Sequence, residues 1–211
     1  MVKVQAPCLS LNASGTIAGA MTFSSWKGRP YVRETVKPSN PKSGSQVGVR
    51  AMFKFLAQDW SNLTTVEKAS WEDRADQTVI SNFNAFMAYN QRRWRNFLAP
   101  SGADPATEDD GCPVVSNEAA TAAVRQITIA GDVAAKAGDE SVWGVAIFRS
   151  PTGTFTTAFS NCIAVIPADD DATYSYVDTP LDPGQYYYNT RLLSEVGDLD
   201  DENTEVDATV T

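Results

Sequence analysis

Histidine is missing altogether from the 211 residues, and cysteine is scarce. Without an imidazole the chain cannot build a Ser-His-Asp or Cys-His catalytic unit, or a zinc site that needs a histidine ligand. Cys8, Cys112 and Cys162 are too far apart in sequence for a dense disulfide scaffold or a Cys-x-x-Cys metal site, so we interpret them as buried or unreactive thiols. The sequence therefore predicts a protein that is not an enzyme and has no catalytic, cofactor-binding or metal-binding residue.

Long hydrophobic runs are missing as well. No apolar stretch approaches the roughly 18 residues of a membrane span. The first residues, MVKVQAPCLSLNASG, lack the charged start and the apolar run of about 7–15 residues that a signal peptide needs. We expect a soluble, intracellular protein that makes no contact with a membrane.

The charge is distributed unevenly along the chain. Residues 1–100 carry 13 Lys/Arg and 6 Asp/Glu, whereas residues 101–211 carry 4 and 20, so the halves have net charges of +7 and −16. A Pro/Gly-rich acidic stretch, APSGADPATEDDGCP, lies between them and is typical of an exposed linker. We predict a basic docking domain at 1–99, a linker at 100–112 and an acidic β domain at 113–211.

The N-terminal domain begins with a predicted β-ribbon. The β-prone runs 16–26 and 30–36 are separated by Lys27 and Gly28, which suit a tight hairpin turn. Because an isolated two-stranded ribbon is only marginally stable in water, it has to pack on the helices, on a second copy or on a partner protein.

Three helices are predicted to follow and to form a small bundle. In the first, Val49, Phe53, Leu56 and Trp60 recur at helical spacing. The second begins with the capping pair Thr64 and Glu67, and the third begins at Ser81. The predicted bundle core is aromatic and comprises Trp60, Trp71, Phe83, Trp94 and Phe97.

The C-terminal half alternates with a period of two residues in seven runs, at 124–129, 142–148, 154–159, 163–166, 174–177, 186–193 and 204–210. Seven short strands within about 100 residues are typical of a Greek-key β-sandwich. The fold class is therefore α+β: an N-terminal ribbon with a three-helix bundle, and a C-terminal all-β sandwich.

The segment TYSYVDTPLDPGQYYYNTRLLSEVGD resembles the last strands of fibronectin type III domains, in which Leu-x-Pro-Gly precedes alternating tyrosines. Leu181, Pro183 and Gly184 occupy that turn, and the resemblance implies that Tyr187 is the tyrosine corner. SVWGVAIFRS resembles the third strand of the family, which makes Trp143 a candidate core aromatic. This module implies a fold and says little about function.

Residues 14–98 resemble the N-terminal part of poorly characterised proteins of tailed phages and prophages. The matching features are Trp26-Lys27-Gly28, Val32-Arg33, Asn40-Pro41, Gln46 with Arg50, Trp71 and Asn84-Ala85-Phe86. Some members also end in an immunoglobulin-like module. The resemblance implies a virion structural protein, assembled in the host cytoplasm, whose partners are capsid, portal or tail proteins and which forms a homo-oligomer or symmetric array. Capsid decoration is the role we favour, with a head-to-tail connector or tail adaptor as the alternative.

Docking is expected to use a basic and aromatic strip. Its members are Trp26, Lys27, Arg29, Tyr31, Arg33, Lys37, Lys42 and Arg50. Trp26 is the aromatic anchor, because tryptophan is frequent at the centre of protein interfaces. A solvated basic face is the alternative interpretation.

Three other functions were weighed. WSNLTTVEKASWEDRAD resembles part of a high-mobility-group box, which would make the protein an architectural nucleic-acid binder, but the helices lack the dense lysine of such boxes. The acidic runs at 108–110, 169–171 and 198–202 lack EF-hand spacing, so solvated loops are favoured over calcium sites. Paired carboxylates alone do not make a glycosidase.

Overall fold

The computed structural model describes residues 2–3, 14–17, 19–36, 39–107, 111–138, 141–201 and 203–211. The fold is mixed α+β, and its strand pairs are antiparallel. The chain divides into two compact units, Met1–Pro41 and Lys42–Thr211. We call the first the ribbon unit and the second the main unit. Cys8 lies outside the described residues.

The ribbon unit is a four-stranded sheet rather than the predicted pair of strands. Its strands are β1 (Val2–Lys3), β2 (Gly15–Ile17), β3 (Met21–Trp26) and β4 (Arg29–Glu34), in the order β1-β4-β3-β2. Lys27 and Gly28 form the turn between β3 and β4 and both have positive φ, as a two-residue turn that matches the strand twist requires. The flanking strands β1 and β2 are too short to give a periodic signal in the sequence.

The main unit begins with four helical segments, which are α1 (Gly44–Asp59), α2 (Thr65–Ser70), α3 (Glu72–Thr78) and α4 (Asn82–Arg95). The predicted capping pair is confirmed: Thr64 accepts from the backbone of Glu67, and the Glu67 carboxylate accepts from the backbone of Thr64. The predicted cap at Ser81 is also confirmed, since its hydroxyl accepts from Asn84 N. The predicted second helix is divided at Trp71 into α2 and α3.

Helix α1 buries a face that only partly matches the predicted one: Leu56 is buried as expected, and Trp60 packs against the core. Phe53 is 51% exposed, whereas Phe55 and the carboxylate Asp59 are buried. The helix carries apolar residues on more than one side, so its sequence allows two faces. Trp143 selects between them, because its ring meets Phe55 edge-on at 5.1 Å and its indole N–H donates to Asp59.

Seven strands follow the helices and form two sheets. They are β5 (Val115–Ala123), β6 (Gln126–Val133), β7 (Gly144–Ser150), β8 (Cys162–Pro167), β9 (Thr173–Asp178), β10 (Gly184–Leu193) and β11 (Val206–Val210). One sheet has the order β11-β10-β7-β8 and the other β5-β6-β9. The prediction missed β5, whose sequence VSNEAATAA is poor in β-branched and aromatic residues. The strand predicted at 154–159 is wrong: that segment is a loop that leads into a short 3₁₀ helix, Phe159–Asn161.

Both faces of the four-stranded sheet are covered by other parts of the main unit. On β7, Val145 and Ile147 lie in the core shared with the three-stranded sheet, whereas Ala146 and Phe148 lie in the core shared with the helices. The alternation of strand side chains produces this division. Trp143 precedes β7 and joins the helix-side core. The helices therefore pack on the sheet and share a core with it.

The segment predicted as an exposed linker is partly packed. Ser101 is buried and exchanges hydrogen bonds with the Asn90 side chain, at 2.8 and 2.9 Å. Trp71 donates its indole N–H to Gly102 O at 2.8 Å. The compact units accordingly differ from the predicted domains, because residues 42–99 group with the strands and not with the ribbon.

The hydroxyl of a tyrosine corner bonds back to the backbone a few residues upstream, and Tyr186 makes such a bond here, not the predicted Tyr187. The Tyr186 hydroxyl donates to Asp182 O at 3.0 Å, four residues upstream. Tyr186 and the buried Tyr188 lie on the side of the core between the sheets. Tyr187 lies on the opposite face of β10, where its ring leaves room only for a glycine at position 153.

Candidate docking surfaces

The ribbon unit presents one basic and aromatic face. The register of β3 and β4 pairs Trp26 with Arg29, Ser24 with Tyr31 and Thr22 with Arg33. Since paired residues point to the same side of a sheet, four of the predicted docking residues share one face. We call this the basic face and define it by Trp26, Arg29, Tyr31 and Arg33. Glu34 pairs with Met21 on the other side.

The aromatic anchor lies at the turn end of this face. Trp26 is 62% exposed, and the Lys27 ammonium lies 4.8 Å from the centroid of its ring. A cation over an indole is attracted by the ring electrons, which holds Lys27 beside the basic face. The turn thus combines a large apolar surface with positive charge, the pair of features that an acidic partner surface would recognise.

The other predicted docking residues are elsewhere. Lys37 lies outside the described residues, whereas Lys42 and Arg50 belong to the main unit. Arg50 and Arg95 line an open cleft of about 450 Å³ beside the first turns of α1. The structure therefore brings together the described ribbon residues of the predicted strip but places Lys42 and Arg50 in a separate compact unit.

A second charged surface, which the sequence analysis missed, lies at one end of the two sheets. The loops 134–143, 168–172 and 194–205 leave the sheets at this end, since Gly144 pairs with both Pro167 and Leu193. Among the described residues of 134–143, 168–172 and 194–201, the only basic side chain is Lys136. We call this surface the acidic loop end, defined by Asp169, Asp170, Asp171, Glu195, Asp198, Asp200 and Asp201.

A cleft of about 340 Å³ opens at the acidic loop end where α1 meets the sheet. Asp59, Asp169 and Glu195 contribute carboxylates to its walls. Burial raises the pKa of Glu195, and the charges of Glu67 and Asp59 raise it further. Within the described ranges, no group of three or more Cys, Asp or Glu side chains has the geometry to hold a metal ion.

The large aromatic residues of the helices are mostly in the core. Trp71 and Trp94 are fully buried, and Trp60 packs against Phe83 and Phe86 with ring centroids 5.6 and 5.1 Å away. A stacking platform for single-stranded nucleic acid needs exposed rings beside basic groups. Trp26 on the ribbon unit has that exposure. In the part of the chain that the structure describes, no helix is both long and apolar enough to cross a membrane.

A partly buried carboxyl group, Glu118, links β5 to β10. Its Oε1 accepts from the Thr190 hydroxyl at 2.7 Å and from the Tyr174 hydroxyl at 3.5 Å, while its Oε2 is buried with no hydrogen-bond partner. Burial raises the pKa of Glu118, and the two hydrogen bonds only partly oppose that effect. The charged form is therefore disfavoured in the folded protein.

Replacing Glu118 by glutamine is expected to change the pH dependence of stability. A raised folded-state pKa means that the stability contributed by the protonated group is complete below about pH 4.5, its unfolded value, and is lost as pH rises through the folded pKa. E118Q has no carboxyl group to titrate at this position, so it has no such pH-dependent loss. Its free energy of unfolding should therefore rise relative to that of the parent between pH 4 and pH 7, as urea titrations would measure. A difference that stays constant with pH, or falls, would contradict this account.

Comparisons with known proteins place the chain in no family. No protein-family model and no curated protein matches it. Solved structures that match parts of it include a β-1,2-glucanase from Parabacteroides distasonis, with 21% identity, 47% of this chain and 12% of the glucanase covered, and a TM-score of 0.35. Another is the sensor domain of the anti-sigma factor RsgI4 from Pseudobacteroides cellulosolvens, with 15% identity, 46% of this chain and 88% of that domain covered, and a TM-score of 0.28. The PmoD soluble domain from a Methylocystis species has 20% identity, 43% of this chain and 75% of that domain covered, and a TM-score of 0.30. These similarities are too distant to assign a fold or a function.

Proposed function

We propose that the protein is a non-enzymatic structural component of a tailed-phage virion, which docks through its ribbon unit on a larger assembly and displays the acidic main unit outward. The observation that carries the proposal is the basic face, where Trp26, Arg29 and Arg33 are exposed on one side of a small sheet. A small exposed sheet with an aromatic anchor and two arginines suits binding without turnover. The sequence resemblance to phage proteins supplies the setting.

Strand order supports the finer assignment of the β-rich part to the fibronectin type III fold. In that fold the first, second and fifth strands form one sheet, and the third, fourth, sixth and seventh form the other. The orders β5-β6-β9 and β11-β10-β7-β8 follow this division. We extend the proposal to a module of this type with helices packed on one face. Such a module would be a rigid spacer suited to display. Capsid decoration is the position we favour, and a head-to-tail connector or tail adaptor is the alternative.

The proposal predicts that the protein is found in purified particles and is lost when the basic face is altered. The double variant W26A/R33A should be incorporated at least about tenfold less than the parent, because truncating an interface anchor costs about 2 kcal/mol or more. Quantitative mass spectrometry of particles, normalised to the main shell protein, measures this. F53A/K54A, an exposed aromatic and basic pair on α1, is the matched control and should be incorporated normally.

The abundance of the parent protein in purified particles distinguishes capsid decoration from a connector or tail position. A simple ratio to the shell protein means decoration of the capsid lattice, whereas a small fixed fraction means a connector or tail position. Absence from the particles would overturn the virion proposal. Normal incorporation of W26A/R33A would show that the ribbon unit is not the docking element.

A further inference from the structure

The two units of the chain carry opposite charge. Met1–Pro41 contains five Lys/Arg and one Asp/Glu, a net charge of +4, whereas Lys42–Thr211 has a net charge of −13. The basic face carries Arg29 and Arg33, and the acidic loop end carries seven of the 25 Asp/Glu of the main unit. The chain therefore carries both members of a complementary pair.

The loops of the acidic loop end are held together by backbone hydrogen bonds. Asp171 N donates to Ala134 O at 3.3 Å, and Trp143 N donates to Leu193 O at 2.7 Å. Asp169 and Asp171 are exposed on this framework. Burial raises the pKa of Glu195, and repulsion from the charges of Glu67 and Asp59 raises it further. Arriving positive charge would relieve that repulsion.

The spacing of the two surfaces is compatible. Arg29 and Arg33 are four residues apart on β4, which is about 13 Å along an extended strand. Loops that follow β8 and β10 are two strand spacings apart, which is about 10 Å. One arginine can thus reach the loop 168–172 while the other reaches the loop 194–205. A guanidinium binds a carboxylate through two parallel hydrogen bonds, which fix the relative orientation of the two groups and add to their charge attraction.

We propose that the partner of the basic face is the acidic loop end of a second copy of this chain. The proposal rests on the docking role given to the basic face above but not on a virion location. Because the two surfaces are different, the contact is heterologous, and it repeats from copy to copy until a ring closes or an open chain grows. Trp26, at the turn end of the basic face, packs against the rim of the loops.

Sedimentation velocity of the purified full-length protein at several concentrations tests the proposal. At about 0.05 M salt we expect species larger than the monomer that grow with concentration, and at about 0.5 M salt we expect association weakened at least about tenfold, because exposed charges are then screened. A protein that stays monomeric at every concentration in low salt overturns the proposal.

Charge reversal identifies the surfaces. R29E/R33E and D169K/D171K should each fail to associate alone, because like charges then face each other. An equal mixture of the two should associate again, because the two reversed surfaces attract each other and the unaltered basic face of one variant meets the unaltered acidic loop end of the other. K54E/D73K, a reversal of exposed charges on α1 and α3, is the control and should associate like the parent. Variants that associate alone as tightly as the parent, or a mixture that does not recover, overturn the proposal.

Carbodiimide cross-linking of the unaltered protein gives an answer that does not depend on how the variants fold. A mixture of ¹⁴N- and ¹⁵N-labelled chains should yield mixed-label cross-links between Lys27 and Asp169 or Asp171. Cross-links of Lys27 that avoid the acidic loop end contradict the proposal. If self-association is absent while W26A/R33A is still lost from particles, only self-docking is wrong and the proposed function stands.

Discussion

Replacing Trp94 by alanine is expected to lower the free energy of unfolding of the main unit by about 3–5 kcal/mol, the usual range for removing a fully buried tryptophan. Trp94 has no exposed surface. Its indole N–H donates to Gly48 O of α1 at 3.2 Å, and its ring centroid lies 6.4 Å from that of Phe148 on β7. One side chain thus joins two helices to the four-stranded sheet.

The size of this effect follows from what surrounds the ring. Phe97 and Phe159 also contact Trp94, with centroids 5.9 and 6.4 Å away. Alanine would leave a cavity bounded by rigid aromatic rings that cannot collapse into it, and it would leave Gly48 O without its donor. The loss therefore includes a cavity and a buried hydrogen bond as well as apolar contact.

Chemical denaturation measures the loss when it is followed by far-ultraviolet circular dichroism, which the helices dominate, and by amide-I infrared absorption, which resolves the strands. Because the helices and sheets share a core, both signals should shift together in W94A. W26A removes the same side chain from an exposed position in the ribbon unit and should change stability by no more than about 0.5 kcal/mol. A loss below about 1 kcal/mol in W94A, or a shift in the helix signal alone, would contradict a shared core.

Features determined by neighbouring residues could be predicted from the sequence. The caps at Thr64 and Ser81 and the Lys27-Gly28 turn depend on backbone donors and dihedral angles within a few positions. The strands β7 and β10 contain several β-branched and aromatic residues, and their predicted bounds lie within two residues of the observed ones. Arg29, Tyr31 and Arg33 alternate along β4, so a sequence that predicts this strand also places them on one face.

Features determined by distant contacts could not be predicted in the same way. Which face of α1 is buried depends on Trp143, more than 80 positions away, and Ser101 is buried because Asn90 satisfies its backbone. A proline- and glycine-rich composition does not reveal such contacts. The acidic loop end illustrates the same limit for the candidate site: its charges could be counted, but strand pairing is what gathers them at one end.

Replacing Gly48 by alanine is expected to destabilise the main unit, although in most helix interiors this change stabilises by about 1 kcal/mol. A methyl group at Gly48 would lie 2.5 Å from Phe159 O, closer than side-chain carbons approach a carbonyl oxygen. Gly44, one turn earlier, faces Ser160 O in the same way. The two glycines let the start of α1 lie directly on the backbone of the 3₁₀ helix.

The contact outweighs helix propensity because the obstacle is backbone rather than a flexible side chain. To admit the methyl group, either α1 or the 3₁₀ helix must move, and overpacking of this kind costs about 1–3 kcal/mol. We expect G48A to lower the free energy of unfolding by about 1–2 kcal/mol after the gain in propensity, and hydrogen exchange to increase at residues 158–162. Urea titration and exchange mass spectrometry measure the two effects.

Ser45 provides the matched control, because it is exposed on the same turn of α1 and S45A adds no atoms against the 3₁₀ helix. S45A should change stability by no more than about 0.5 kcal/mol. If G48A instead stabilises the protein, then α1 does not lie against the 3₁₀ helix as described. Gly48 also supplies the carbonyl that accepts from Trp94, so G48A and W94A should be non-additive when combined. Full additivity would show that the two residues act in separate parts of the core.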